Sequence, residues 1–332
     1  MNESRTLMAT FGSSIRQLAL VAFTAAALPI AALAQGYPSK PIHLVVPYPA
    51  GGGGDIHGRL IGERLAILLG QPVIVENKAG ASGSTGSDYV AKAAPDGYTL
   101  LVNTNALAVS QIVSPNLPFN VTRDFAPLSV TMTSQNMLVA RPDLPVHSVK
   151  ELIAFAKANP GKLTYGSSGL ATPMLSMELF KIKAGVDITF VPYKGDAPGI
   201  NDLLGGHIDL YVTNILPLQP HVKGGKLQAL AVTSRKRAAS LPEVPTMEEA
   251  GVADFDVESW FGFFAPAATP KPIVDTLNAA LAKIVAMPDV QQKMAETGGT
   301  AQSSSPEAFG SSLQSDVTKF GQIVKTAGIK ID

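Results

Sequence analysis

The chain has 332 residues, no cysteine, and 26 basic residues against 26 acidic ones. This composition excludes disulfide bonds, thiol catalysis and cysteine-ligated metals, and it provides no basic excess for binding nucleic acid or an anionic membrane surface. The five histidines show no metal-ligand spacing, so neither a metal nor a cofactor is expected.

The first 34 residues have the layout of a secretory signal peptide. Arg5 and Arg16 form a basic start, residues 18–33 are almost wholly apolar, and small residues around Ala34 provide a cleavage site. A retained membrane anchor fits less well, because the apolar run is short for a bilayer span. We therefore expect cleavage near Ala34 and export to the periplasm.

The residues that follow alternate between strand-like and helix-like runs, which predicts an α/β fold with mostly parallel sheets. In the first third, strands are predicted at 42–47, 73–76 and 98–103, and helices at 56–69 and 87–94. The middle third repeats the alternation, with strands at 137–140, 163–166, 188–192, 208–212 and 227–233 and helices beginning at Ser148 and Pro173. The last third is mainly helical, at 271–286, 289–296 and 306–327.

Two extended segments, Ser129–Arg141 and Val257–Ala265, are predicted to cross between two domains. A complete series of strands and helices lies between them. We therefore predict a discontinuous outer domain, 35–137 plus 256–332, and an inner domain, 138–255. Two crossing segments form a hinge, and the cleft between hinged domains is a common ligand site.

The glycine-rich turn after the first predicted strand is the strongest functional signal. A turn from a strand into a helix exposes backbone N–H groups at the positive end of the helix dipole, which suits an anion. Four consecutive glycines exceed what a tight turn needs, so close approach of a ligand to the backbone is expected. The alternative is a plain turn that binds no ligand, in which Asp55 does no more than cap the helix. We expect Asp55 to cap the helix in either case. The candidate ligand contacts of this turn are Tyr48, Ala50, Gly51, Gly52, Gly53, Gly54 and Asp55.

A second turn of the same kind lies in the predicted inner domain. Its candidate contacts are Ser167, Ser168, Gly169 and Thr172, with Thr172 expected as the helix N-cap and Pro173 as the first helical residue. We expect the two turns to face each other across the cleft and to hold one anion together.

Three further candidates follow later strands. Tyr193 and Lys194 leave one strand, and Asn214 follows another. In the alternative interpretation, Tyr193 and Lys194 belong to a solvated loop, and Asn214 stabilises its own turn. Trp260, the single tryptophan, is expected to pack rather than to bind ligand.

Motifs for catalysis or nucleotide binding are sparse. The glycine turn satisfies neither the G-x-G-x-x-G pattern of dinucleotide sites nor the P-loop pattern, and no G-x-S-x-G nucleophile elbow is present. An exported hydrolase is the alternative from another class. It requires Ser167 or Ser168 as nucleophile, with His57 and Asp55 as the suggestive base and acid.

Short segments spread along the chain together match one family pattern. They are 37–42, 47–55, 70–77, 94–101, 148–152, 191–195, 203–206, 230–234 and 259–262. On these segments the chain resembles, from end to end, the Bug-type periplasmic solute receptors of tripartite tricarboxylate transporters.

The resemblance implies a two-domain fold of the type II periplasmic-binding-protein kind, which closes on its ligand about a hinge. It implies small carboxylate ligands: di- and tricarboxylates, aromatic acids or acidic amino acids. The family holds the carboxylate with backbone N–H groups and hydroxyls of two facing loops, partly through water. The implied partners are two integral membrane subunits of a transporter. We expect a monomer without catalytic activity, and the sequence does not separate transport from a ligand-sensing role.

The chain departs from the family pattern at three places. Gly54 replaces a small polar residue, Leu170-Ala171 replaces an Asn-Gly pair, and Thr213 replaces an aspartate. These changes make the expected pocket less polar. They predict a ligand less hydrophilic than citrate, such as a monocarboxylate or an aromatic acid.

Overall fold

The structure is a computed structural model that describes residues 36–114, 116–168 and 171–329. The predicted signal peptide and Gly169 therefore lie outside the described residues. All the helices and strands given below belong to one compact unit that begins at Pro41.

Eleven strands are present among the described residues. They are β1 (Ile42–Val46), β2 (Val73–Asn77), β3 (Thr99–Thr104), β4 (Phe125–Ser134), β5 (Asn136–Ala140), β6 (Thr164–Ser168), β7 (Thr189–Tyr193), β8 (Leu210–Asn214), β9 (Gln228–Val232), β10 (Ser259–Pro266) and β11 (Gly299–Ala301).

Ten α-helices accompany these strands within the described ranges, together with a short 3₁₀ turn at Ala81–Gly83. They are α1 (Gly53–Leu69), α2 (Ser84–Ala91), α3 (Ala106–Val113), α4 (Val149–Ala158), α5 (Thr172–Ala184), α6 (Asp196–Leu204), α7 (Ile215–Lys223), α8 (Lys271–Val285), α9 (Pro288–Glu296) and α10 (Pro306–Ala327).

The strands form two mixed sheets. The first has the order β11-β4-β10-β3-β1-β2, and the second has the order β7-β6-β8-β5-β9. β1 runs parallel to β2 and β3, whereas β10 runs antiparallel to β3 and β4, and β5 runs antiparallel to β8 and β9. The prediction of mostly parallel sheets is therefore wrong in part. The antiparallel strands β5 and β10 are those by which the chain enters one sheet from the other.

The chain passes between the sheets twice. It crosses at Gln135, between β4 and β5, and returns over residues 233–258, between β9 and β10. One hydrophobic core extends under both sheets, since it includes Leu101 and Phe264 of the first sheet and Tyr165 of the second. Helix α10 packs on α3 and β4 of the first part and on α5 of the second. The predicted boundaries near residues 137 and 256 remain predictions.

The contact between β10 and α10 gives a test of this packing. A Cβ added to Gly262 in β10 would lie 2.2 Å from Cζ of Phe309, a fully buried ring. We expect Gly262→Ala to lower the free energy of unfolding by about 1–3 kcal/mol, because overpacking forces ring and backbone to shift.

The matched control is Gly310→Ala in α10, whose added Cβ would meet only Cγ of Pro127 at 3.6 Å. It should leave stability unchanged or raise it by up to about 1 kcal/mol, since alanine favours a helix over glycine. Urea unfolding of both variants measures the difference, and equal stability of the two would contradict the packing described here.

Candidate functional site

The glycine turn between β1 and α1 is held in place by Asp55. The Asp55 carboxylate accepts hydrogen bonds from the Gly51 N–H at 2.8 Å, from Asn77 Nδ2 at 2.9 Å and from Arg59 Nε at 3.1 Å. Chiefly because of the Arg59 hydrogen bond, the pKa of Asp55 falls to about 2. The predicted N-cap role of Asp55 is wrong: Gly52 is the N-cap, and Asp55, in the first helical turn, reaches back to the preceding backbone.

Backbone conformation or packing explains why glycine is needed at two of these four positions, but not at the other two. Gly51 has φ of +82°, and a Cβ on Gly54 would lie 2.7 Å from the ring of Tyr48. A Cβ on Gly53 would meet nothing within 4 Å, and one on Gly52 would meet only the Pro49 carbonyl at 3.5 Å. The N–H groups that open α1 have no acceptor within the helix. Gly52 and Gly53 therefore leave open space beside these donors.

Tyr48 connects this turn to the end of β3. Its hydroxyl donates to Asn103 Oδ1 at 2.6 Å and contacts Thr104 Oγ1 at 3.1 Å, and burial raises its pKa. The Tyr48 hydroxyl is therefore engaged within the protein. Ala50 is exposed at the tip of the turn.

The second turn joins β6 to α5. Ser167 is fully buried, Ser168 is partly buried, and Thr172 is 6% exposed. The helix begins one residue earlier than predicted, because Ala171 is the N-cap and Thr172 is the first helical residue. Pro173 has no N–H group, so this helix start offers the N–H groups of Thr172 and Met174.

A cavity of about 220 Å³ lies where the two sheets meet. Three of the predicted site residues line it, Ser168, Thr172 and Asn214, together with Thr104 and Asn105 from the end of β3. Residues of both sheets thus line one small cavity. Tyr48 of the glycine turn hydrogen-bonds Thr104, which is one of the lining residues.

A larger cavity of about 520 Å³ adjoins the first, because Asn214 and Phe261 line both. Gly53 of the glycine turn lines this larger cavity, as does the side of α1 that includes Ile56 and Leu60. The two cavities together connect the start of α1 with the start of α5.

Several buried polar atoms near these cavities have no hydrogen-bond partner among the described residues. They are Ser167 Oγ, Asn214 Oδ1 and both amide atoms of Asn136. The three residues occupy neighbouring strands, and Asn136 lies opposite Asn214 in the register of β5 and β8. An unsatisfied buried polar group costs about 1–3 kcal/mol. These strand ends of the second sheet are therefore suited to a ligand that supplies hydrogen-bonding groups to the three side chains.

The structure does not bring Tyr193 and Lys194 to these cavities. The Tyr193 hydroxyl donates to Asp202 Oδ2 at 2.7 Å, its ring packs edge-on against Tyr211, and burial raises its pKa to about 12. Lys194 is exposed. Their contact with a ligand remains a prediction.

His57 and Asp55, the base and acid that the hydrolase alternative requires, each form hydrogen bonds with other residues. His57 Nε2 bonds Thr131 Oγ1 at 2.8 Å, and its ring lies 4.8 Å from that of Phe261. Burial lowers the pKa of His57 to about 3. Asp55 holds the glycine turn, and no hydrogen bond among the described residues joins it to His57.

Asn105 is a site residue that the sequence analysis misses. Its amide oxygen accepts from the Trp260 N–H at 2.6 Å, and its Nδ2 donates to the Glu258 carbonyl at 3.2 Å. Trp260 packs as expected, edge-on to Phe309, but it also lines the smaller cavity and donates from Nε1 to Asp316. The sequence contains a signal for Asn105: like Asn214, it comes two residues after the end of a predicted strand.

In the ranges that the structure describes, no helix is both long and apolar enough to cross a bilayer. The same ranges contain no group of three or more histidines and carboxylates placed to hold a metal ion.

Comparison with known proteins indicates one family. A family model described as a tripartite tricarboxylate transporter family receptor matches residues 58–329. The chain is 35% identical over 321 residues to protein BugT of Bordetella pertussis, covering 95% of this chain and 98% of BugT.

Solved structures agree with this result. Rpa4515 of R. palustris with adipate is 37% identical, with a TM-score of 0.72 over 88% of this chain and 98% of that chain. MatC (Rpa3494) of Rhodopseudomonas palustris with bound malate is 31% identical, with a TM-score of 0.69 over 87% and 100%. These similarities confirm the predicted α/β, two-domain periplasmic-binding-protein fold class.

The buried His57 predicts a specific dependence of stability on pH. Its pKa is lower in the folded protein, about 3, than the ordinary value of 6.5, so the unfolded chain binds more protons between these values. The stabilising effect of the neutral ring is complete above pH 6.5 and declines as the pH falls, by about 1.4 kcal/mol per pH unit.

We expect His57→Gln, which keeps a hydrogen-bonding group near the position of Nε2, to remove this contribution. Urea unfolding at pH 7 and pH 5 should show that the wild-type protein loses about 2 kcal/mol more than the variant. An identical pH dependence for the two proteins would mean that His57 titrates normally.

Proposed function

We propose, since this chain belongs to the receptor family of the tripartite tricarboxylate transporters, that it captures a small organic carboxylate and delivers it to the membrane subunits of such a transporter. Two similar proteins have been solved with carboxylates, one with adipate and one with malate. The proposal places the protein in the periplasm after cleavage near Ala34, as a monomer that releases its ligand chemically unchanged.

The observation that supports this function is the pair of adjoining cavities between two helix starts. Gly53, in the first turn of α1, lines one cavity, and Thr172, in the first turn of α5, lines the other. Both helix starts present N–H groups that have no acceptor within their own helix, at a positive dipole end. A carboxylate that accepts hydrogen bonds from both would be satisfied on each oxygen, whereas a buried anion without such bonds is unfavourable.

Capture would proceed by hinge closure. In this proposal the outer domain, 35–137 plus 256–332, moves against the inner domain, 138–255, about the crossings at Gln135 and 233–258. A ligand that bridges both helix starts interacts with the closed form more strongly than with the open form, and so increases its population. Contacts of Tyr193 and Lys194 with the ligand would require a movement of the end of β7 and of the residue that follows it.

A thermal-shift panel of small carboxylates tests the function. An acid at about a hundred times its Kd adds roughly 2.7 kcal/mol to the free energy of unfolding, which raises the melting temperature measurably. The methyl ester of each acid is the matched control, because it keeps the shape and removes the charge. Recovery of each methyl ester unchanged after incubation distinguishes a receptor from a hydrolase, which would cleave it to the acid and methanol. No shift with any acid in a broad panel, or equal shifts with the esters, would contradict the proposal.

Gly53→Ala tests whether the ligand approaches the backbone at the start of α1. Since a Cβ at Gly53 meets open space, the variant should fold with stability unchanged or raised by up to about 1 kcal/mol. The new methyl group occupies open space at the helix start, where this proposal places the carboxylate, so we expect carboxylate affinity to fall by about tenfold or more, which calorimetry measures.

The matched control is Gly321→Ala in α10, whose added Cβ would come no nearer than 4.0 Å to Ile112. It should bind the acid as the wild-type protein does. If Gly53→Ala also binds with wild-type affinity, the ligand does not contact this turn.

A further inference from the structure

The larger of the two cavities has mainly apolar walls. Ile56 and Leu60 line it from α1, Phe261 from β10, Met132 from β4 and Met294 from α9. Ile56 is 51% exposed although it lies in the first turns of a helix whose other face is buried. An apolar side chain exposed in a concave site is available to pack against a hydrocarbon group.

The charged side chains around this cavity lie at its exposed rim. Four charged residues line it, Arg59, Glu63, Lys293 and Glu296, and all four are exposed; Arg59 is paired with Asp55 and Glu63 with Arg64. The titratable group nearest the interior, His57, is buried and neutral, with its ring against Phe261. The buried lining residues Met132, Ser134 and Met294 carry no charge, and the two methionines offer a surface to a hydrocarbon.

This cavity adjoins the proposed carboxylate site. Gly53 lines it at the start of α1, and it shares Asn214 and Phe261 with the smaller cavity that Ser168 and Thr172 line. A molecule whose carboxylate lies between the two helix starts would extend its remaining atoms along Phe261 into the larger cavity. The volume of about 520 Å³ is within the range of small-molecule sites.

We propose that the larger cavity holds the apolar body of the ligand, and that the protein therefore selects carboxylic acids with a straight-chain or aromatic hydrocarbon portion over short hydroxylated acids. The inference rests on the proposed carboxylate function. Each methylene group removed from water strengthens binding by about fourfold, until the cavity is full. A hydroxyl group in the same position would lose its hydrogen bonds to water without replacement.

The test is a homologous series of unbranched monocarboxylates, from propanoate to octanoate, with 3-phenylpropanoate as the aromatic member. Calorimetry on the whole exported chain should show Kd falling about threefold to fourfold per methylene and then levelling off. Malate and citrate should bind more weakly than the longest acids of the series.

Ile56→Ser tests the assignment to this cavity. The variant should weaken the binding of octanoate more than that of propanoate, and so reduce the gain per methylene. Ile67→Ser is the matched control: Ile67 lies on the same helix, is 69% exposed, and does not line the cavity. It should leave the whole series unchanged.

The outcomes separate this inference from the function on which it rests. If carboxylates bind but Kd is independent of chain length, or if both serine variants behave alike toward octanoate, the apolar cavity does not select the ligand and only this inference falls. If no carboxylate binds at all, the proposed function and the inference fall together.

Discussion

The site depends on one set of hydrogen bonds, those that the Asp55 carboxylate accepts from the backbone of Gly51 and from the side chains of Asn77 and Arg59. They fix the glycine turn to its own helix and to the neighbouring strand β2. With the turn fixed, the N–H groups at the start of α1, which have no acceptor within the helix, point in a defined direction before any ligand arrives. Preorganisation of this kind reduces the conformational entropy that binding would otherwise lose.

Two further connections link the turn to the rest of the cleft. The Tyr48 hydroxyl bonds the polar residues at the end of β3, and Asn105, just beyond, binds the backbone of the crossing strand β10 at Trp260. Trp260 in turn donates to Asp316 of α10, the helix that packs on both parts of the molecule. The glycine turn, the crossing strand and the long C-terminal helix are therefore mechanically connected, and a movement of one part requires adjustment of the others.

The sequence predicts the elements of the fold well where local chemistry decides them. The start of α4 follows the predicted cap, since Ser148 Oγ accepts from the Glu151 N–H at 3.2 Å, and α10 has the predicted bounds, 306–327. The sequence does not predict the helices whose formation depends on tertiary contacts. Helices α3 and α7 are not predicted, and α7 carries Pro220 within it. Asp55 and Thr172 are not the N-cap residues that the sequence predicts. The N-caps are Gly52 and Ala171, and neither makes a side-chain capping hydrogen bond.

The candidate site shows the same division. Helix-start chemistry predicts both turns, and the structure places Gly53, Ser168, Thr172 and Asn214 at the two adjoining cavities. No local pattern could show that His57 is buried beneath Phe261 or that Asn105 holds the crossing strand, because each contact joins residues far apart in the chain.

Backbone amide NMR signals, followed during titration with the tightest-binding carboxylate of the panel, show whether both helix starts bind one acid. We expect the signals of Gly52 to Gly54 and of Ser168 and Thr172 to shift together with one midpoint. Shifts at only one of the two turns, with the other unchanged at saturation, would mean that the two helix starts do not bind the acid together.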